Sequence, residues 1–96
     1  MSYDLTPLAV CEELFGGRTA FERAIGVKPK LAYSWSRGAQ WRAPGDLPSY
    51  VQRNTLKAVR KMKLDIDPKW LIEGATRAEI DEALQQARRI RAAMAA

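Results

Sequence analysis

The side chains best suited to chemistry in this 96-residue chain lie between Lys28 and Arg37. Lys28, Lys30, Tyr33, Ser34 and Arg37 can all donate hydrogen bonds, one of them is aromatic, and no acid stands among them. A face of donors suits a polyanion, whereas a merely solvated helix face more often mixes both signs. Catalysis has less to work with. There is no histidine and one cysteine, Cys11, which excludes disulfide frameworks, Cys/His zinc sites and histidine-based catalytic arrangements. Neither a Gly-rich phosphate loop nor a placed carboxylate pair is present, so the expectation is no enzyme, no catalytic residue, no cofactor and no metal. Cys11 lies on an apolar stripe beside Glu12 and Glu13, and reads as a small buried hydrophobe, not a reactive thiol.

The net charge of +5 is unevenly spread. Residues 1–17 carry three acids and no base, residues 18–63 eleven bases and two acids, and residues 64–96 five bases and six acids. A basic block of this kind seeks nucleic acid or an anionic membrane, and otherwise is a solvated surface. The membrane reading is the weaker, because the apolar arc of the basic helix has no Trp or Phe and the core needs that arc. With no signal peptide or long apolar run, a cytoplasmic, nucleoid-associated protein is expected.

The elements that must position the donors are all helical. Thr6-Pro7 opens a first helix with Leu8, Cys11, Leu14 and Phe15 at helical spacing, and Gly16-Gly17 closes it. Thr19-x-x-Glu22 has capping-box spacing and starts a second, Thr19 to Ile25, with Phe21, Ala24 and Ile25 inward. Gly26 ends it and Val27 plugs the core from the turn. Pro29 then begins a short third helix, Pro29 to Arg37, with Leu31, Ala32 and Trp35 inward. Ala39 to Asp46 is a loop whose tip, Trp41-Arg42, either folds back on the core or touches a backbone phosphate. A fourth helix, Pro48 to Lys63, sets Val51, Thr55, Ala58, Val59 and Met62 against Arg53, Lys57, Arg60 and Lys61. Asp67-Pro68 starts a fifth, with Trp70, Leu71 and Ile72 as packing residues, and Thr76-x-x-Glu79 caps a last helix running to near the C-terminus. No strand-like alternation, repeat or low-complexity tract interrupts the pattern. The second and third segments, two short helices about a Gly turn with the second polar outside, have the plan of a helix-turn-helix that reads DNA.

Three segments carry a resemblance to a known family. They are the ERAIGVKPK turn, the WSRG exit followed by Leu47-Pro48, and Asp67-Pro68-Lys69-Trp70-Leu71-Ile72-Glu73-Gly74. Together, over roughly Gly17 to Gly74, they resemble the DNA-binding domain of phage repressors of the Cro and lambda-repressor type. Three features depart from the family pattern: Glu22 replaces a small residue, Leu31-Ala32 reverses the usual order, and the loop from Ala39 to Asp46 is long. The helical patterning gives an all-α, compact five-to-six-helix bundle with an extended C-terminal helix, and the resemblance implies that its helix-turn-helix is lambda-repressor-like. Residues 1–75 are expected to form the helix-turn-helix DNA-binding domain; the apolar stripe of residues 76–96 makes the terminal helix the expected dimerisation element, in place of the second domain through which the family's full-length repressors often dimerise.

The expected function is that of a sequence-specific double-stranded DNA-binding regulator, a repressor binding an inverted repeat as a homodimer. Lys28, Lys30, Leu31, Tyr33, Ser34 and Arg37 are the base-reading candidates. Arg18, Thr19, Arg23, Arg42, Arg53 and Lys57 are the phosphate candidates. Ile80, Leu84, Ala87, Ile90 and Met94 form the stripe expected to dimerise, or else to fold back on the body. The alternative is a protein-interaction module, such as a DNA-binding antitoxin or the accessory partner of another protein. RNA binding is weaker, with no sheet to carry stacking aromatics.

Overall fold

α1 (Pro7–Phe15) is the helix on which most of the others assemble. Its apolar residues recur on two sides: Leu8 and Cys11 enter one cluster with Phe21, Ile25, Ala32, Trp35, Val51 and Leu71, while Val10 and Leu14 enter a second with Val59, Leu64, Ala75 and Ile80. The computed structural model describes residues 5–40 and 42–95, and Trp41, whose packing the sequence left open, lies outside them. Among the described residues the chain is a compact all-α protein of six helices: α1, then α2 (Arg18–Ile25), α3 (Leu31–Arg37), α4 (Ser49–Lys61), α5 (Trp70–Glu73) and the long α6 (Arg77–Ala95). α2, α3, α5 and α6 pack on α1, and α4 packs on α2. The apolar stripe expected for the first helix omitted Val10, which is fully buried, because a helix enclosed on two sides no longer needs a single face.

Local chemistry explains most of the boundaries. Thr6 Oγ1 accepts from the Ala9 N–H at 3.2 Å and Pro7 occupies the first turn, where its missing donor is not needed. α2 ends in a Schellman motif: Gly26 takes the left-handed conformation, its N–H donates to Arg23 O, and the Val27 N–H donates to Glu22 O. α4 ends the same way with Lys63 in the glycine position at φ 55°, the Leu64 N–H reaching Val59 O at 3.0 Å. The capping box at α6 forms as the sequence predicts, the Glu79 N–H donating to Thr76 Oγ1 at 3.2 Å and the Thr76 N–H to Glu79 Oε1 at 3.0 Å.

Other expectations are corrected. Thr19-x-x-Glu22 is not a capping box, because α2 begins at Arg18 after Gly17, with no side-chain cap, and Glu22 is turned into the protein. Ala24 is exposed, and Ile72, expected to pack, is 62% exposed because Leu71 and half-buried Trp70 take the inward positions of a four-residue helix. The loop after α3 is tied down: Ala39 and Arg42 exchange backbone hydrogen bonds, the Gly45 N–H donates to Trp35 O at 2.8 Å, and Gly45 O accepts from the Leu8 N–H. Residues 5 and 75 pair through backbone hydrogen bonds, and a Cβ on Gly74 would lie 2.2 Å from Leu5 O, so the chain passes too closely there for any side chain.

Candidate functional site

The donor-rich segment is built by α2, the following turn and α3. Pro29 does not open the third helix. Lys30 has φ 70° and ψ 1°, and the Leu31 N–H donates to Lys28 O at 3.2 Å, which is a type II turn with proline at its second position and lysine where glycine is usual. α3 therefore begins at Leu31, and its cap residue, Lys30, offers no side-chain acceptor to the free N–H groups.

That acceptor comes from the preceding helix. Glu22, only 4% exposed, accepts a hydrogen bond from the Ala32 N–H at 2.9 Å. Ala32 is the second residue of α3, the position a capping side chain ordinarily serves, and a carboxylate there also suits the positive end of the helix dipole. Trp35 and Ala32 hold the other side of the contact: both are buried, and the Trp35 ring meets Phe21 edge-on with centroids 6.3 Å apart. Glu22 was legible as an acid that could bond an N–H, but which N–H depended on where the two helices meet.

At 100° per residue Tyr33, Ser34 and Arg37 fall within an arc of about 100° opposite Ala32 and Trp35. All three are exposed, as are Lys28 and Lys30 in the turn. The Arg37 guanidinium lies 5.8 Å from the Tyr33 ring centroid, a cation–π contact that leaves both polar ends outward. Ser34 Oγ donates to Leu31 O at 2.7 Å, so its hydroxyl keeps acceptor capacity while its proton is engaged within the helix. Leu31 is half-buried against the main core, which limits what it can offer outward.

The flanking phosphate candidates divide. Thr19 and Arg23 on α2, and Arg53 and Lys57 on α4, are exposed. Arg18 is ion-paired with Glu12, Nε to Oε2 2.5 Å, so its charge is largely answered within the protein. Arg42 is half-buried and its Nε is buried without a partner; it packs beside Asp46, Leu47 and Pro48 and does not project as a free surface cation. Cys11 takes no part in this surface: burial pushes its thiol far above the ordinary range, the Thr55 hydroxyl opposing in part.

The C-terminal stripe is split. Ile80 is fully buried, and Leu84 and Ala87 pack on the cluster around Val10 and Leu14, whereas Ile90 and Met94 are 37% and 65% exposed. The first three therefore belong to this chain's own core and are not free to pair with a partner. Among the described residues no group of His, Cys, Asp or Glu is placed to hold a metal ion, and no helix is long and apolar enough to cross a membrane. No family model, no curated protein and no solved structure matches the chain.

Proposed function

We propose that this chain is a sequence-specific double-stranded DNA-binding transcriptional regulator, a repressor where its operator overlaps a promoter. In this reading α2 and α3 act as a helix-turn-helix and α3 enters the major groove. The observation that carries it is the outer arc of α3: Tyr33, Ser34 and Arg37 are exposed with no acid beside them, and the one acid of the segment, Glu22, is withdrawn into the interior as a cap. A carboxylate on that surface would repel phosphate; buried, it props the helix instead.

Arg37 is then placed to donate to guanine N7 and O6, and Lys28 and Lys30 lie at the leading end of α3 near bases or phosphates. Thr19, Arg23, Arg53 and Lys57 are the phosphate contacts, which set position without reading sequence. Arg18 and Arg42 are the weaker candidates, given the Glu12 pair and the buried Nε. A seven-residue helix offers few base contacts, so two copies on an inverted repeat are expected.

Enrichment of bound oligonucleotides from random duplex DNA tests the proposal, because it reports binding, site symmetry and half-site spacing together. Arg37→Ala is expected to lose about 1–3 kcal/mol on the enriched site and to relax preference at one position. Lys57→Ala is expected to weaken all sequences alike and to lower the salt slope by about one. Uniform weakening by Arg37→Ala would make that residue a phosphate contact and shift the reading of α3, and no retained duplex at ordinary ionic strength would end the proposal.

A further inference from the structure

α6 is 19 residues long and only its first half is seated on the body. From Arg88 to Ala95 every residue is exposed, a rod of about 12 Å at 1.5 Å per residue. This end carries Arg88, Arg89 and Arg91, none of which forms an ion pair among the described residues, together with the exposed apolar Ile90 and Met94. Beside the seated half of the same helix lies an open groove of about 360 Å³. Its walls carry four acids, Asp65, Asp67, Glu79 and Glu82, around half-buried Ile66 and Trp70.

Groove and free end lie along one line of the helix. At 100° per residue Ile90, Ala93 and Met94 fall within about 60° of the line through Glu79, Gln86 and Ala83, the last buried at the floor of the groove, while the body-facing Ile80, Leu84 and Ala87 lie roughly 100° around from it. Arg89 flanks this line, whereas Arg88 and Arg91 lie on the other side of the helix, along a cleft shared with Glu13 and Met62. A single continuous helix cannot fold its end back onto its own flank, so the two opposite charges cannot meet within one molecule.

We propose that the free end of α6 docks in the acidic groove of a second copy of this chain, each copy giving one end and receiving the other across a two-fold axis. Antiparallel pairing of the two α6 helices about Gln86 brings Arg89 beside the exposed Glu82 of the other copy. It also brings the Ala93–Met94 turn to Glu79, whose Oε2 accepts from the Trp70 indole N–H at 3.2 Å. Apolar Ile90 and Met94 then cover the Trp70 and Ile66 side of the groove while Arg89 meets its acids, the self-complementary pattern a two-fold interface requires. This surface is distinct from the Ile80–Leu84–Ala87 stripe, which the core already occupies, and it does not depend on DNA.

Sedimentation of the full chain without DNA tests it, using two charge-reversed variants. One carries Arg89→Glu in the free end, the other Asp65→Lys and Glu82→Lys in the groove; all three positions are exposed, and unchanged helical circular dichroism checks that both variants fold. The wild type is expected to dimerise and to weaken with salt, and each variant alone to associate roughly tenfold or more weakly. Mixed together, the two variants restore opposite charges at both contacts and should form a heterodimer. A wild type that is monomeric throughout the micromolar range at low salt overturns the proposal. So does a dimer indifferent to both reversals, or a mixture that fails to associate. None of these results bears on whether α3 binds DNA, which the oligonucleotide experiment reads separately.

Discussion

Glu22 shows how much one side chain decides. A buried carboxylate is unfavourable unless its oxygens are bonded, and an uncapped helix start is unfavourable unless its N–H groups are bonded; here each need answers the other across the turn. Glu22→Ala should therefore destabilise the fold by about 2 kcal/mol or more, because it leaves the Ala32 N–H buried without an acceptor. Glu22→Gln keeps an oxygen in place and should lose less. Chemical denaturation measures both, and amide exchange at Ala32 separates them from ordinary core loss: it should quicken most in the alanine variant. Equal stability of wild type and Glu22→Ala would mean that the bond contributes nothing. The sequence placed this acid at capping-box spacing from Thr19, and the bond to the next helix is the physical reason an acid can be buried there instead.

At the scale of the element, caps and turns set where each helix begins and ends. The Thr76–Glu79 box holds the Glu79 carboxyl below its ordinary value near 4.5, first through the Thr76 backbone N–H, then through the Thr76 hydroxyl and the Trp70 indole. A carboxyl whose folded value is lowered adds stability that is present above its unfolded value and is lost as pH falls through the folded one. Glu79→Gln should thus be less stable than wild type at neutral pH. The gap should stay constant down to about pH 5 and narrow below it. Thermal melts across that range measure the gap, and one that widens in acid would show that the carboxylate is not the favoured form. The same kind of local reading failed at Pro29, where proline before lysine is equally compatible with a helix start and with a type II turn. Lys30 takes the left-handed conformation because the turn must deliver Leu31 and Ala32 to the core and to Glu22.

At the scale of the whole molecule, the two apolar clusters share α1 and join the donor-bearing helices to the root of α6. Ile80 is central to that joint, since it is fully buried and packs in the cluster containing Val10, Leu14 and Val59. Ile80→Ala should lower stability by about 2–5 kcal/mol in a single cooperative transition. Far- and near-ultraviolet melts should move together, whereas α6 melting alone ahead of the rest would show it to be an appendage. Charge is also arranged at this scale: the bases of residues 18–63 gather on α2 to α4, while acids line the groove between residues 65–70 and α6.

Sequence alone determined the helical class, the start of α1, the Gly26 turn, the two faces of α4 and the Thr76 box. These rest on periodicity and on contacts within a few residues, which a linear reading contains. It also located the donors of α3, since side-chain type is visible without coordinates. Tertiary structure alone decided that Glu22 caps α3, that Arg18 is answered by Glu12, and that Ile80, Leu84 and Ala87 serve this chain's own core while Ile90 and Met94 remain outside it. Each of these depends on two segments meeting in space. A helical stripe records that a face is apolar, but only the packing of the other helices determines how far along that face the protein's own body extends.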